Sequence, residues 1–126
     1  MTVTMTEREG ILVAEVTGEL GEASAGELDR VLRETVDNAT TGVVVDLTGV
    51  THMDSAGVHM LFDTAKRLGR RQQQLRVVAL RDSVVGDMAS LTDLGSYAPV
   101  DTELAVALER LQSSADWPSA TEKRPS

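Results

Sequence analysis

Thr, Val and Ile dominate two short stretches at the start of the chain, residues 2–7 (TVTMTE) and 11–17 (ILVAEVT), and predict two β-strands. The connection at Glu9-Gly10 is so short that the pair must run antiparallel. From Ser24 the apolar spacing becomes helical, with Leu28, Val31, Leu32, Val36 and Ala39 on one face and an end within Asn38 to Gly42. Ser24 and Glu27 have the S-x-x-E spacing of a capping box. Gly42 to Leu47 (GVVVDL) is apolar on both faces, as a central parallel strand is.

A second helix is expected from Ser55 to Leu68, with Val58, Leu61, Phe62, Ala65 and Leu68 inward and Gly69 as its stop. Gln74 to Leu80 reads as a strand. Ser83 to Leu94 reads as a third helix with Val84, Met88 and Leu91 on its inner stripe, closed by Gly95. Tyr97 to Val100 is a short strand that Pro99 places at an edge. Asp101 or Thr102 caps a last helix carrying Leu104, Ala107, Leu108 and Leu111. From Ser113 the composition turns to Ser, Pro, Ala and charge, which predicts one domain over residues 1–112 and a disordered tail over 113–126 that contains Trp117.

Alternating strands and helices of this kind make an α/β layer fold with right-handed crossovers, and its functional loops gather at the carboxyl ends of the strands. One such loop holds Asp54-Ser55-Ala56-Gly57, which follows the most apolar strand and opens the second helix. The Ser55 hydroxyl would stand at the mouth of that turn, with two small residues after it to leave it open to a visiting protein.

Composition narrows the chemistry. The formal charge is -8, from 12 Lys+Arg against 20 Asp+Glu, and the tail's four charged residues cancel, so the folded body carries the excess. An acidic body repels nucleic acid, and three aromatic residues (Phe62, Tyr97 and Trp117) are too few for base stacking. No run of eighteen apolar residues predicts a membrane span, and MTVTMTEREG has neither the basic start nor the apolar core of a signal peptide. A cytoplasmic protein without cysteine chemistry is expected.

Catalytic readings of the Ser55 turn lack companions. His52 and His59, the chain's two histidines, do not have metal-ligand spacing, and no metal is expected. A triad of Ser55, a histidine and Asp54 or Asp63 would need three side chains of one short segment to converge, and there is no G-x-S-x-G elbow. No glycine-rich loop leads to a lysine that would hold a nucleotide, so no cofactor is expected, and Gly18 and Gly21 read as turn residues. By position alone, Ser55 or Asp54 could be no more than the cap of the second helix.

Val43-Val44-Val45-Asp46-Leu47, Val50 and Met53-Asp54-Ser55-Ala56-Gly57 together resemble the signature of STAS domains, specifically bacterial anti-sigma-factor antagonists. The resemblance extends upstream to Thr17-Gly18-Glu19-Leu20 and downstream through Leu91 to Val100, covering roughly residues 5–111. It implies a single STAS domain: a mixed sheet of about five strands, beginning with the antiparallel pair, flanked by about four helices. Such proteins are binders and substrates, not enzymes. The resemblance implies that the unphosphorylated chain binds an anti-sigma factor that is also a serine kinase of the histidine-kinase-like ATPase fold, releasing a sigma factor. Phosphorylation at Ser55 would end that binding, and a phosphoserine phosphatase would restore it. A non-catalytic scaffold or accessory subunit of a transporter or signalling complex is the alternative. Asp54, Ser55, Ala56 and Gly57 would then meet the partner, with Asp54 a cap or a presenter of the hydroxyl. His59 and Met60 stand where small or aliphatic residues are frequent, and both are expected to touch the partner and tune its recognition. Gly21-Glu22 follows Gly18-Glu19-Leu20 where many antagonists carry an aspartate.

Overall fold

Two left-handed residues turn the chain at its first corner. Glu9 (φ 53°) and Gly10 (φ 85°) link β1 (Thr2–Arg8) to β2 (Ile11–Leu20) in a two-residue loop whose twist suits the flanking strands. Arg8 lies opposite Ile11 and Thr2 opposite Thr17 in an antiparallel register. Helix α1 (Ala25–Thr35) returns the chain to β3 (Gly42–Met53), which pairs parallel with β2. Helix α2 (Ser55–Arg70), β4 (Gln74–Val78), α3 (Val84–Leu91), α4 (Leu94–Tyr97), β5 (Val100–Asp101) and α5 (Leu104–Asp116) follow. The computed structural model describes residues 1–116, and its sheet runs β1-β2-β3-β4-β5 with every pairing after the first parallel. This is the mixed α/β sheet that the alternation of elements predicts.

The doubly apolar character of β3 has a direct cause. Val43, Val45 and Leu47 join the larger core under α1, α2 and α3, while Val44 packs with Ile11, Val13 and Val78 under Ala107, Leu108 and Leu111 of α5. Pairing between β3 and β4 ends at Asp46 and Val78, yet β3 runs on beside β2 as far as Met53. The strand expected to stop at Leu47 is thus six residues longer, and it carries the following turn beyond the body of the sheet.

Other expectations differ from the structure for local reasons. Ser24 flanks α1 but does not cap it: its hydroxyl donates to the Glu19 carbonyl (2.8 Å) and accepts from the Gly21 N–H (3.0 Å), closing the β2–α1 loop instead. The helix expected over 83–94 stops at Leu91, because the side chain of extended Thr92 donates to the Met88 carbonyl and accepts from the Leu94 N–H, competing with helix continuation. A separate turn of helix, α4, then takes up Tyr97, so the strand expected over Tyr97 to Val100 is confined to Val100–Asp101. Five helices therefore stand where about four were expected. On α3 the inner residues are Val85 and Ala89, while Val84 and Leu91 are exposed. Gly69 lies inside α2, which ends at Arg70. Helix α5 continues to Asp116, past Ser113, and residues 117–126 of the expected tail, Trp117 included, lie outside the described residues.

Two-residue β5 is too short to hold its place by ladder bonds alone. Its Asp101 side chain, 2% exposed, accepts from Arg76 Nε (2.7 Å) and Nη2 (3.2 Å) on β4 and from Arg110 Nη1 (3.0 Å) on α5. That fork of charged donors ties the edge strand to its neighbour and to the covering helix. Among the described residues no helix is long and apolar enough to cross a membrane.

Candidate functional site

Asp54 is the joint on which the site is built. It leaves β3 in an extended conformation (φ -112°, ψ -172°) and caps α2, with Oδ1 accepting from the N–H of Ala56 (2.9 Å) and Gly57 (3.3 Å). Its other oxygen, Oδ2, accepts from the Glu22 N–H (3.2 Å) in the β2–α1 loop. One half-buried carboxylate therefore fastens two loops that are far apart in sequence. Gly21 makes this reach possible: a Cβ there would sit 2.7 Å from Oδ2. Partial burial works against the ionised carboxyl, but the N–H groups of Glu22, Gly57 and Ala56, helped by the nearby charge of His52, outweigh it and hold the group below its ordinary value. Gly21 is thus both the turn residue expected, its carbonyl accepting from the Ser24 N–H (3.0 Å) and the Ala25 N–H (2.7 Å), and a residue of close approach to Asp54.

Ser55 is the first residue of α2 and is exposed. Its hydroxyl makes no hydrogen bond among the described residues, since Asp54 does the capping. The two small residues after it serve different ends. Ala56 is half-buried, whereas Gly57 is buried, and a Cβ on Gly57 would meet the Leu20 carbonyl at 2.7 Å and Met53 Cγ at 2.8 Å. Glycine at that position lets α2 pack against the end of β2, so its smallness does not open a path to Ser55 and it has no side chain to offer a partner.

His59 lies one turn beyond Ser55 and is exposed. Met60, expected off the inward stripe and free to touch a partner, is 7% exposed and belongs to the main core, where its sulfur accepts from the Thr64 hydroxyl at 3.4 Å. Helix α2 is covered by the sheet on one side and by α1 on another, so its buried arc is wider than a single stripe and takes in Met60 and Thr64. Of the expected set, the structure presents Ser55 and His59 together on the outside, uses Asp54 and Gly57 to build the turn, and places Met60 beneath it.

Several residues of the surroundings were not singled out from the sequence. His59 and Asp63 form a ridge along α2 between two grooves, one bounded by Gly26, Asp29 and Arg33 of α1 and the other by Asp93 and Tyr97 beside α4. Gly21 was visible as a turn residue and Gly21-Glu22 as a departure from a motif, but the Glu22 backbone N–H that meets Asp54 carries no residue-type signal. The scarcity of aromatics was the available clue to the second groove, for Phe62 and Tyr97 meet there edge to face with centroids 5.1 Å apart. Among the described residues no group of three or more His, Asp or Glu side chains is arranged to hold a metal ion.

Known proteins resemble this chain in sequence and in fold. A family model described as the STAS domain matches residues 2–107. The anti-sigma-F factor antagonist RsfB of Mycobacterium tuberculosis is 30% identical over 70 residues, 56% of this chain and 57% of that protein, so the match spans a little over half of that relative's length. The anti-sigma-B factor antagonist of Staphylococcus aureus is 27% identical over 94 residues, 75% of this chain and 86% of that one. The crystal structure of an anti-sigma factor antagonist from Mycobacterium paratuberculosis superposes with a TM-score of 0.79 at 26% identity, covering 88% of this chain and 93% of the other.

Proposed function

The chain belongs to the STAS domain family, and from that premise we propose that it is an anti-sigma-factor antagonist switched by phosphorylation of Ser55. The unphosphorylated chain binds an anti-sigma factor that is also a serine kinase, and this binding frees a sigma factor. The kinase in turn modifies Ser55, and a phosphatase reverses the modification. In this cycle the chain is a binder and a substrate, not an enzyme. Support comes from its relatives in Mycobacterium and Staphylococcus aureus, which are anti-sigma factor antagonists. The observation that carries the choice of residue is the division of labour at the turn: Asp54 caps α2, and the adjacent Ser55 hydroxyl is left exposed and unengaged.

Electrostatics supplies the switch. A phosphoserine carries about -1.5 to -2 charge and three strong acceptor oxygens. An open helix N-terminus would welcome that group, but here the Ala56 and Gly57 N–H groups already serve the Asp54 carboxylate. The dianion would therefore stay on the surface beside a second negative charge, in the middle of the face the partner must cover. Desolvating it there costs on the order of 3 kcal/mol, more than a hundredfold in affinity.

The test is to incubate the chain with candidate anti-sigma kinases and ATP and to map the phosphate by mass spectrometry. One phosphate on Ser55 is expected, with the modified chain losing its hold on the kinase. Ser55→Ala should bind without being modified, and Ser55→Asp should fold normally but bind poorly. A phosphorylated chain that binds its kinase as tightly as the unmodified one would overturn the proposal.

A further inference from the structure

We propose that the groove between α2 and α4 seats a basic, arginine- or lysine-bearing segment of the protein partner that handles Ser55. This deepens the reading given above, and rests on it for the partner's identity, by naming the chemistry that holds the partner. The groove encloses about 430 Å³ and is lined by His59, Phe62, Asp63, Lys66, Asp93 and Tyr97. Two of the chain's three aromatic residues are spent here, at an interplanar angle of 81°, and Tyr97 is 49% exposed instead of serving the core. Asp63 and Asp93 are both exposed, and among the described residues neither is in an ion pair.

Aromatic faces beside unpaired carboxylates are the surroundings that a guanidinium or ammonium group prefers. The chain's own Lys66 already demonstrates the preference, with Nζ 5.4 Å from the centroid of the Tyr97 ring. One lysine against two carboxylates leaves a negative balance in the groove, in a chain whose net charge is -8. The groove on the other side of the His59–Asp63 ridge is different. There Asp29 is bonded to Arg33 at 2.8 Å and to Arg67 at 3.3 Å, so its charge is met from within. Asp63 borders both grooves, so what sets the α4 side apart is a second unpaired carboxylate, Asp93, beside the aromatic pair of Phe62 and Tyr97.

Position links this groove to the serine. His59 lines the groove one helical turn from Ser55, and Asp63 lies two turns away, about 12 Å along the axis at the usual rise per residue. A segment seated on Asp63, Asp93 and Tyr97 would bring its protein over the Ser55 end of α2. The aromatic and carboxylate contacts select the partner, and Ser55 reports its state.

The experiment is an NMR titration of the isotope-labelled full chain with the peptide Ac-Ala-Arg-Ala-Arg-Ala-NH2. Saturable shifts at Phe62, Asp63, Asp93 and Tyr97 are expected, and they should weaken with added salt. Asp63→Asn with Asp93→Asn should reduce the peptide's affinity about tenfold, while an equal loss of charge just before and within α5, Glu103→Gln with Glu109→Gln, should leave it nearly unchanged. Shifts spread evenly over the acidic surface, or an unchanged affinity in the groove variant, would overturn the proposal. Peptide seated in the groove of a chain that no kinase modifies means failure at Ser55 alone. Efficient phosphorylation of Asp63→Asn with Asp93→Asn at an unaltered KM means failure of the groove alone.

Discussion

Asp54 and Asp101 are two carboxylates placed where separate parts of the chain meet, and they are held by opposite kinds of donor. Asp101 is bound by the guanidinium groups of Arg76 and Arg110, which fasten a two-residue edge strand to β4 and α5. Asp54 is bound entirely by backbone N–H groups, those of Glu22, Ala56 and Gly57. Charged side-chain donors neutralise the carboxylate and make a structural staple. Backbone donors orient it but leave its charge on the molecule, next to a serine whose hydroxyl makes no hydrogen bond among the described residues. The first arrangement closes an edge, and the second prepares a surface on which one more charge can matter.

The largest effect is expected at Asp101. Asp101→Ala would strand the largely buried Arg76 without its partner, and a loss of about 3 kcal/mol is expected from breaking such a pair. A urea titration of the variant would measure it. A loss within experimental error would mean that β5 is held by packing alone, and that the two carboxylates do not differ as described.

At Asp54 a smaller global effect and a sharper local one are expected. Asp54→Ala removes the α2 cap and frees the Glu22 N–H, so hydrogen exchange should accelerate at Glu22, Ala56 and Gly57 with the rest of the sheet unchanged. Uniform acceleration throughout the chain would show Asp54 to be as much a global staple as Asp101.

The smallest effect is on pH dependence. Folding depresses the Asp54 carboxyl below its ordinary value of 3.8, so the associated stability is fully present above that value and is lost as pH falls through the lower folded value. Asp54→Asn retains an acceptor for Ala56 and Gly57 but turns an amide donor toward the Glu22 N–H. Its urea midpoint should lie below that of the parent at pH 7, and the difference should shrink in acid below about pH 4. A difference that stays constant down to pH 2 would remove the charge from the account of this joint.

How much of this was legible in the sequence varied from element to element. The antiparallel hairpin could be read from β-branched runs around Glu9-Gly10, and the central place of β3 from the consecutive valines at 43–45, because both signals are local in the chain. The D-S-A-G turn was legible for the same reason, being a short run of fixed spacing after that strand. Met60 was misjudged because a helix covered on two sides buries a wider arc than the sequence period of one stripe reveals. Val84 and Leu91 were misjudged in the opposite sense, as apolar residues at inward spacing on a helix whose buried side is Val85 and Ala89. Ser24 fits a capping-box pattern, yet its hydroxyl was claimed by Glu19 and Gly21, residues outside the pattern.

By itself, then, the sequence determined the order of elements apart from α4, the mixed sheet, the acidic body and the position of an exposed serine at the head of a helix. These follow from periodicity, turn chemistry and composition, which act over a few residues at a time. Tertiary structure alone decided which residue caps that helix, that Glu22 is tied to Asp54, that Gly57 serves packing, and that Phe62 and Tyr97 share one groove with Asp63 and Asp93. Each of these is a contact between segments distant in the chain, set by backbone donors and by the space a missing Cβ leaves, and neither leaves a periodic trace in the order of residues.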